Sequence, residues 1–370
     1  MTKVPFLDMG ATYTSLQPEL DAAVGRVLSS GWYILGPEVT AFEQAFAAYC
    51  GVTHAVGVAN GLDAMHLVLR TWGIGPGDEV IVPSNTYIAT WLAVTMTGAL
   101  PVPVEPVGAT FNIDPARIEA AISPRTRAIL PVHLYGQTAA MSEVMDVANR
   151  HGLRVLEDAA QAHGSRWQGR KAGGLGHAAA WSFYPTKNLG AFGDAGAVTT
   201  NDADTADQVR VLRNYGSRKK YYNEVPGYNS RLDPLQAAVL AVKLAHLDEW
   251  NARRRILAGR YDAGLATCPD LQTPGVADGA DPAWHVYVVQ SGDRDALQVH
   301  LAAAGVETLV HYPIPPHRSD AYRSSVWATS SFPLAEQMAS RVLSLPVGPH
   351  MSDAQQDQVI DAVLSFSPRR

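Results

Sequence analysis

The stretch Ser-Phe-Tyr-Pro-Thr-Lys-Asn (182–188) decides the fold of this chain, because it sets Lys187 among apolar side chains and just ahead of several glycines. Earlier in the chain, Arg-Val-Leu-Glu-Asp (154–158) is an apolar run that closes on acids. Most lysines are solvated surface residues. An apolar setting lowers the pKa of an amine and favours its neutral, nucleophilic form. The two stretches predict a nucleophilic amine and a partly buried carboxylate, Asp158, in one pocket.

Such a pair suggests a site for pyridoxal phosphate. Lys187 would form a Schiff base with the aldehyde of the cofactor, and Asp158 would keep the pyridine nitrogen protonated, so that the ring can act as an electron sink. Gln161, one helical turn after Asp158, could hydrogen-bond the phenolic oxygen of the cofactor. The residues alone leave simpler roles open: Asp158 as a helix cap, Gln161 as an ordinary polar residue and His163 as a structural histidine.

A phosphate site is predicted where Asn-Gly-Leu-Asp-Ala (60–64) opens a helix directly after a strand. Free backbone N–H groups at such a turn bind anions, with the helix dipole behind them. The hydroxyl of Ser182 is a further candidate ligand, and the glycines after Lys187 permit close approach of the backbone to a ligand. Tyr87 opens a later helix and could stack on the cofactor ring, although a role as a core aromatic is equally open.

The composition indicates a folded protein of a reducing compartment. Its 370 residues suit one large domain and a smaller one. With 47% apolar and 17% charged residues it can bury a substantial core, and a formal charge of −6 argues against general nucleic-acid affinity. Cys50 and Cys268 lie far apart without a CxxC partner. That pattern fits reducing conditions and excludes a cysteine-based zinc site.

Neither a secretory leader nor a membrane segment is expected. The first eight residues lack the apolar core of a signal peptide. No stretch approaches the roughly eighteen uninterrupted apolar residues of a membrane span. We therefore expect a cytoplasmic protein with no membrane and no nucleic-acid partner.

Strand and helix patterns alternate through the first two thirds of the chain, as in an α/β fold with a mainly parallel sheet and helices on both faces. In such sheets ligands collect outside the carboxyl ends of the strands, and Asp158 lies at one of those ends. The pattern then changes: one long polar helix is predicted from Leu232 to Tyr261, with a strand after it at 284–290. We predict a large domain, residues 1–245, and a smaller α+β domain, residues 246–370.

Two aromatic loops are candidate substrate sites. Residues 210–222 form the one local cluster of basic and aromatic side chains, which fits a small anionic ligand with a stacking base, such as a nucleotide diphosphate. A solvated mobile loop is the alternative. The second loop, 311–322, carries His311 and His317. Two histidines without nearby carboxylates make a poor metal site, so no metal is expected.

Six segments of the chain resemble, in order, the DegT/DnrJ/EryC1/StrS family of nucleotide-sugar aminotransferases. They are Ser-Gly-Trp-Tyr-Ile-Leu-Gly-Pro-Glu (30–38), Gly-Pro-Gly-Asp-Glu-Val-Ile-Val-Pro-Ser-Asn-Thr-Tyr (75–87), Glu-Asp-Ala-Ala-Gln-Ala-His-Gly (157–164), Ser-Phe-Tyr-Pro-Thr-Lys-Asn-Leu-Gly (182–190), Arg-Asn-Tyr-Gly-Ser (213–217) and Gly-Tyr-Asn-Ser-Arg-Leu-Asp (227–233). The likeness spans nearly the whole chain, and six segments in the right order are far more specific than any one of them.

The resemblance implies a fold-type I aminotransferase that works as a homodimer, with active sites shared across the subunit interface. It makes Lys187 the Schiff-base lysine, Asp158 the partner of the pyridine nitrogen and Gln161 the neighbour of the cofactor hydroxyl. The remaining expected cofactor ligands are Ser182 and the amides of Gly61 and Leu62 at the phosphate, Tyr87 against the ring, and Asn229 of the partner subunit. The expected substrate-binding residues are Trp32, Tyr33, His133, Tyr184, Tyr215, Lys219, Tyr221, His311 and His317.

Within the family, Pro-Val-His-Leu-Tyr-Gly (131–136) and Asn-Gly-Leu-Asp-Ala (60–64) look most like enzymes that aminate C3 of the sugar. The implied reaction moves the amino group of L-glutamate to a dTDP-3-oxo-6-deoxyhexose, with the cofactor passing through its pyridoxamine phosphate form. A 4-keto nucleotide sugar or a keto-inositol is the alternative substrate. A cofactor-binding sensor without turnover is the alternative of another class. No G-x-G-x-x-G follows an early strand, which argues against a nicotinamide dehydrogenase.

Two positions qualify the resemblance. Ala195 stands where many relatives have glycine, which matters only if the backbone there has a positive φ. Relatives with histidine in place of the lysine catalyse dehydration, so Lys187 argues against that branch.

Overall fold

A computed structural model describes residues 3–367. The outermost residues of the two predicted domains, 1–2 and 368–370, lie outside that range, and so does the start of the segment predicted to lack a leader. The strands are β1 His54–Val58, β2 Glu79–Pro83, β3 Leu100–Val104, β4 Thr126–Ile129, β5 Arg154–Asp158, β6 Arg166–Trp167, β7 Arg170–Lys171, β8 Ala178–Ser182, β9 Gly196–Thr200, β10 Ser217–Lys219, β11 Tyr222–Asn223, β12 Leu271–Gln272, β13 Ala280–Asp281, β14 Tyr287–Ser291 and β15 Val342–Leu345.

Helices surround these strands. They are α1 Met9–Ser15, α2 Gln17–Ser30, α3 Pro37–Cys50, α4 Gly61–Thr71, α5 Ile88–Thr95, α6 Pro115–Ile118, α7 Met141–His151, α8 Ala203–Leu212, α9 Pro234–Leu244, α10 Leu247–Leu265, α11 Arg294–Ala303, α12 Pro333–Arg341 and α13 Asp353–Leu364. Short 3-10 turns lie at Glu119–Ala121, Leu134–Gly136, Pro316–Arg318 and Asp320–Tyr322. Within residues 3–367, no helix combines the length and the apolar character needed to cross a bilayer.

Seven strands form the central sheet in the order β1-β9-β8-β5-β4-β2-β3. The pairs β5–β8, β4–β5, β2–β4 and β2–β3 are parallel, whereas β9 runs antiparallel to both β1 and β8. The predicted α/β fold with a mostly parallel sheet is confirmed. The carboxyl ends of β5 and β8 lie side by side, with Asp158 opposite Ala180.

Helices cover both faces of this sheet, as predicted. Ile81, Ala179 and Trp181 point into one apolar core, which α3, α7 and α9 complete. Their sequence neighbours in β2 and β8, such as Val80 and Ala180, point into the other core, with α4, α5 and α8. Adjacent residues of a strand face opposite ways, so both alternating sets must be apolar in a sheet covered on two faces.

The C-terminal third builds a smaller layer of its own. Strands β12, β14 and β15 form an antiparallel sheet, and α10, α11 and α13 pack on it around side chains such as Tyr261 and Leu343. The chain start joins this layer, because Val4 pairs with Val306. Two later segments contact the first part of the chain: β13 pairs with β6 in a small separate sheet, and the Tyr322 hydroxyl lies 2.9 Å from that of Thr95 on α5. The division at residue 245 therefore stays a prediction.

Two predicted elements need correction. The single helix expected from 232 to 261 is two helices, α9 and α10, broken at Ala245 and His246. The break is needed because α9 buries its apolar face in the central core, while α10 buries its own in the smaller one. The strand expected at 284–290 begins only at Tyr287, since Trp284 has a positive φ of 47°.

Candidate active site

Asp158 ends β5 at the carboxyl edge of the sheet and is 6% exposed. One carboxylate oxygen accepts a hydrogen bond from the Thr90 hydroxyl at 2.8 Å, and the other accepts one from the Ala160 N–H at 3.2 Å. Burial raises the pKa of the Asp158 carboxyl, and the Thr90 bond and the nearby charge of Lys187 offset this only in part. A buried carboxylate with so few donors gains from a cationic partner.

Lys187 is half-buried on the loop that joins β8 to β9. The Ala191 N–H closes the base of the loop on the Phe183 carbonyl at 2.8 Å, and the Lys187 N–H bonds the Tyr184 carbonyl at 2.8 Å. Burial lowers the pKa of the Lys187 amine to about 8, although the charge of Asp158 acts in the opposite direction. The amine is thus available in its neutral, nucleophilic form near neutral pH.

The N-terminus of α4 lies directly against the end of β8. A methyl group at Gly61 would come within 2.8 Å of Cβ of Ser182, so this approach requires glycine. The Asn60 side chain caps the helix by accepting from the Asp63 N–H at 2.8 Å. That cap leaves the N–H groups of Gly61 and Leu62, the first two of the helix, for an anion.

The glycines after Lys187 serve the packing of the loop rather than the approach of a ligand, contrary to expectation. A methyl at Gly190 would lie 2.2 Å from the Pro185 carbonyl oxygen, and one at Gly196 would lie 2.4 Å from the Asn60 carbonyl carbon. Gly196 therefore brings β9 against the turn that starts α4. Ala195 is buried and has no positive φ, so its extra methyl is accommodated.

Gln161 and two tyrosines lie beside the acid. The Gln161 side chain accepts from the Tyr135 N–H at 2.6 Å and donates to the Tyr312 hydroxyl at 2.9 Å. An amide nitrogen carries two hydrogens, so one remains for a ligand. The Tyr312 ring lies 5.1 Å from that of Tyr87, which is 53% exposed. Tyr87 is therefore not a core aromatic but a ring on the open side of the pocket.

Three histidines near Lys187 are held neutral. Burial, together with the charge of Lys187, lowers the pKa of His163 to about 3 and that of His311 to about 4. The same causes bring the pKa of His285 well below its usual value. His163 packs on Trp181 and lies against the Ser182 backbone, a fully buried and structural placement. Lys187 and Asp158 are thus left to carry the charge of the pocket.

His133 lies beside Asp158, whose carbonyl accepts from the His133 N–H at 3.0 Å, but its ring is engaged elsewhere. Its Nε2 bonds Glu157 at 2.9 Å and its Nδ1 accepts from the Ala139 N–H at 3.1 Å, so the ring is buried and fully used. Glu157 also accepts from the Gly173 and Leu175 N–H groups. Burial alone raises the pKa of Glu157, but these bonds hold it below its usual value. The pair anchors a loop on the face of β5 opposite Asp158.

His317, another predicted substrate ligand, is engaged within the fold. Its side chain is fully buried, and its Nε2 bonds Glu336 of α12 at 3.0 Å. His311 keeps its place beside the pocket, but its Nδ1 bonds the Ser344 hydroxyl at 2.8 Å.

A separate open cleft of about 940 Å³ contains much of the predicted aromatic set. Aromatic, amide and cationic side chains line it beside the aliphatic Ile34 and Leu35, and they include Trp32, Tyr33, Asn214, Tyr215, Lys220, Tyr221 and Arg231. The cations in this lining are Lys220 and Arg231, whereas the predicted Lys219 lies over the Tyr222 ring at 4.7 Å. The residues 30–35 and 214–231 thus form one surface, although they are far apart in sequence.

Two further predicted residues have exposed side chains. Tyr184, on the Lys187 loop, is 52% exposed. Asn229 is exposed, and its backbone pairs with Asn214 at the edge of the cleft. Neither side chain reaches the phosphate site at α4 within the contacts of this one chain.

Sequence reasoning missed three residues, two beside Asp158 and one on the opposite face of β5. Thr90 bonds Asp158 and is itself 2.9 Å from the Thr86 hydroxyl. The sequence did place Thr90 one turn into the helix that begins after Tyr87, and this position could have indicated its role. Tyr312 lies within the second aromatic loop and could have been singled out there. Glu157 gave no signal of its own, because its partners only become neighbours in the fold.

The residues fit pyridoxal phosphate. A neutral amine, a buried carboxylate without a cation of its own and a capped helix start with two spare N–H groups are the three features its aldehyde, pyridine nitrogen and phosphate require. Lys187 would hold the aldehyde carbon, Asp158 the ring nitrogen, and Gly61, Leu62 and Ser182 the phosphate.

Known proteins resemble this chain over almost its full length. The model of the DegT/DnrJ/EryC1/StrS aminotransferase family matches residues 14–364. A dTDP-3-amino-3,4,6-trideoxy-alpha-D-glucose transaminase of Streptomyces venezuelae is 56% identical over 99% of this chain and 97% of that protein.

Solved structures agree with this match. DesV of S. venezuelae, determined with a ketimine intermediate, superposes with a TM-score of 0.97 at 56% identity over 98% of each chain. NtdA of Bacillus subtilis, with bound PMP, superposes with a TM-score of 0.91 at 31% identity, over 98% of this chain and 85% of that one. The predicted fold type and the cofactor are confirmed.

Gly61→Ala should weaken cofactor binding. The new methyl must push α4 away from Ser182, and overpacking of this kind costs about 1–3 kcal/mol, so we expect the dissociation constant to rise about tenfold or more. An absorbance titration of the apo protein measures it. Gly259→Ala, where a methyl meets nothing within 4 Å, is the matched control and should bind normally. Equal affinity of the two variants would contradict the cradle at Gly61.

The pH dependence of Lys187 reactivity in the apo protein should have its midpoint near pH 8, because burial lowers the pKa of this amine from 10.5. Labelling with an amine-reactive reagent, mapped by mass spectrometry, should rise with pH up to that value and then level off. Asp158→Asn removes the charge that holds the pKa up, so its midpoint should lie lower still. A wild-type midpoint near 10.5 would contradict the buried placement.

Proposed function

This chain belongs to the DegT/DnrJ/EryC1/StrS aminotransferase family. We propose that it transfers an amino group from L-glutamate to C3 of a dTDP-linked 3-keto-6-deoxyhexose. The enzyme is a pyridoxal phosphate-dependent aminotransferase. The observation that carries the proposal is the electrostatic interaction of Lys187, on the loop after β8, with Asp158 at the end of β5, in a chain 56% identical to a dTDP-3-amino-sugar transaminase.

The side chains divide the chemical work. When bound, pyridoxal phosphate supplies an electron sink for a carbanion beside the substrate nitrogen. Asp158, already short of donors, would take the charged ring nitrogen as its cationic partner, and that partner brings the pKa of Asp158 down and keeps it ionised. The Thr90 hydroxyl fixes the carboxylate from the side. Asp158 thereby keeps the ring protonated.

Lys187 is the residue placed to move the proton. Its lowered pKa lets the free amine accept a proton from Cα of the donor near neutral pH and return it on the opposite leg of the reaction. General acid–base catalysis of this kind contributes about 10²–10⁴ in rate. The neutral histidines nearby do not compete for that proton, because burial keeps the pKa of each of them low.

The open cleft supports a nucleotide-linked substrate. Its aromatic rings, Trp32, Tyr33, Tyr215 and Tyr221, offer stacking surfaces for a base, and Lys220 with Arg231 offers positive charge for a diphosphate. Tyr184, exposed on the loop of Lys187, would contact the sugar. A 4-keto sugar or a keto-inositol remains the competing substrate, and only the latter would leave the cleft without a role.

We propose a homodimer with shared sites. Within residues 3–367, neither the cleft lining nor the exposed Asn229 side chain has a contact with Lys187 or Asp158, and a second copy could bring them together. With closed two-fold symmetry, Asn229 of the partner subunit would then lie at the phosphate of the cofactor that each Lys187 binds. A cytoplasmic location fits the two free cysteines, Cys50 and Cys268.

The substrate assignment predicts a sharp preference. Cofactor-loaded enzyme should be converted to its pyridoxamine phosphate form by L-glutamate with release of 2-oxoglutarate. A synthetic dTDP-3-keto-6-deoxyhexose should then return it to the starting form. Absorbance follows both halves, and Lys187→Ala should do neither while keeping its fold. If a dTDP-4-keto sugar restores the pyridoxal phosphate form faster, the C3 assignment is wrong. If glutamate does not change the absorbance of the cofactor, a sensor without turnover is favoured.

Mixed dimers test the shared site. Lys187→Ala and Asn229→Ala are each expected to be weakly active alone. After mixing and refolding, half of the dimers are hybrids with one intact site each, so about a quarter of wild-type activity should return. Recovery is expected only if Asn229 acts across the interface. If activity does not return although the hybrids form, Asn229 acts within its own subunit.

A further inference from the structure

We propose that Asn251 is a positioning residue, which fixes the loop of Lys187 relative to the segment of Asp158. Asn251 lies on α10 and is fully buried. Its Nδ2 donates to the His163 carbonyl at 2.7 Å, and its Oδ1 accepts from Nδ2 of Asn188 at 2.9 Å. A carbonyl can only accept, so the orientation of the amide is determined by its partners. One side chain thus bridges the two halves of the cofactor site.

These two halves have no strand pairing to hold them together. The ladder between β5 and β8 ends with Asp158 opposite Ala180, and the last backbone bond runs from the Ala159 N–H to the Ala180 carbonyl. Beyond that point no backbone hydrogen bond joins the two segments within residues 3–367. The ring of His163 touches Phe183 at 5.6 Å, but an apolar contact does not fix direction as hydrogen bonds do.

On the lysine side, Asn251 acts through Asn188, the residue next to Lys187. Asn188 also donates to the Ala283 carbonyl at 2.7 Å, and its Oδ1 lies 3.2 Å from Nδ1 of His285. Its amide is therefore engaged at both ends, and the backbone at Lys187 is held from outside the loop. Arg254, one turn along α10, donates to the carbonyls of Trp284 and His285 and steadies that support.

On the acid side, the fit around Asn251 is tight. Gly164 has a φ of +84°, and a methyl there would lie 2.5 Å from Nδ2 of Asn251 and 2.4 Å from the Tyr49 hydroxyl. This close packing leaves the Asn251 amide no space to shift. Loss of the amide would leave the buried His163 carbonyl without its donor, and the two segments would lose their common support.

The consequence is catalytic because proton transfer by Lys187 depends on its distance from the groups that Asp158 holds. A misplacement of about 1 Å in an active site can cost about a hundredfold in rate. The inference rests on the lysine and cofactor chemistry of the proposed function, but not on which sugar is aminated.

The test compares Asn251→Leu with Gln356→Leu. Gln356 is also fully buried and also bonds α10, through the Leu257 carbonyl at 2.6 Å, but it lies away from Lys187. Both variants should lose similar thermal stability as apo proteins. Only Asn251→Leu should slow capture of the cofactor by Lys187, by about tenfold or more, when the adduct is trapped with borohydride and counted by mass spectrometry. Asn251→Ser, a smaller change, serves if the leucine variant does not fold.

A second readout separates positioning from stability. In the wild type, Asp158→Asn should lower the pKa of Lys187, because the two charges act on each other. In the Asn251→Leu background that shift should shrink, since the segments are no longer held together, whereas Gln356→Leu should leave it unchanged. Equal capture rates and equal shifts in the two backgrounds would overturn the proposal. A wrong sugar assignment would not alter these measurements, because none uses a keto sugar.

Discussion

The constraint on which the structure depends is the removal of water from two opposite charges at the carboxyl edge of one sheet. Asp158 and Lys187 follow neighbouring strands, β5 and β8, and burial acts against the charge of each. The charge of each group favours the ionised form of the other, but this does not fully offset the effect of burial on either pKa. A ligand with an aldehyde for the amine and a protonated ring nitrogen for the acid relieves both deficits, so the burial of these two groups favours binding of the cofactor.

Close contacts of the backbone keep this arrangement rigid. Gly61 and Gly196 bring the start of α4 against β8 and β9, so the helix presents its N–H groups beside Ser182. Gly190 folds the lysine loop on Pro185. Buried amides then link these pieces, with Asn251 between the loop and the segment after β5. Three features thus hold the site in place: the order of the strands, the close contacts at the glycines and the directed hydrogen bonds of the buried amides.

The sequence predicted the parts of this site that are local. Asp158 and Lys187 could be recognised because each follows an apolar strand pattern, and Gly61 because it opens a helix after one. Residues whose role depends on distant partners could not be assigned. His133 appeared in a family-like motif, but its ring is used by Glu157 on the far face of β5. The break between α9 and α10 was missed because no glycine or proline marks Ala245 and His246.

The most direct measurement of the central claim is the protonation state of the bound cofactor. Enzyme loaded with pyridoxal phosphate carrying ¹⁵N in the ring can be followed by NMR from weakly acidic to weakly basic pH. If Asp158 holds the ring nitrogen as its cationic partner, the ¹⁵N shift will stay at the protonated value throughout. A ring nitrogen that titrates as it does in the free cofactor would contradict the account.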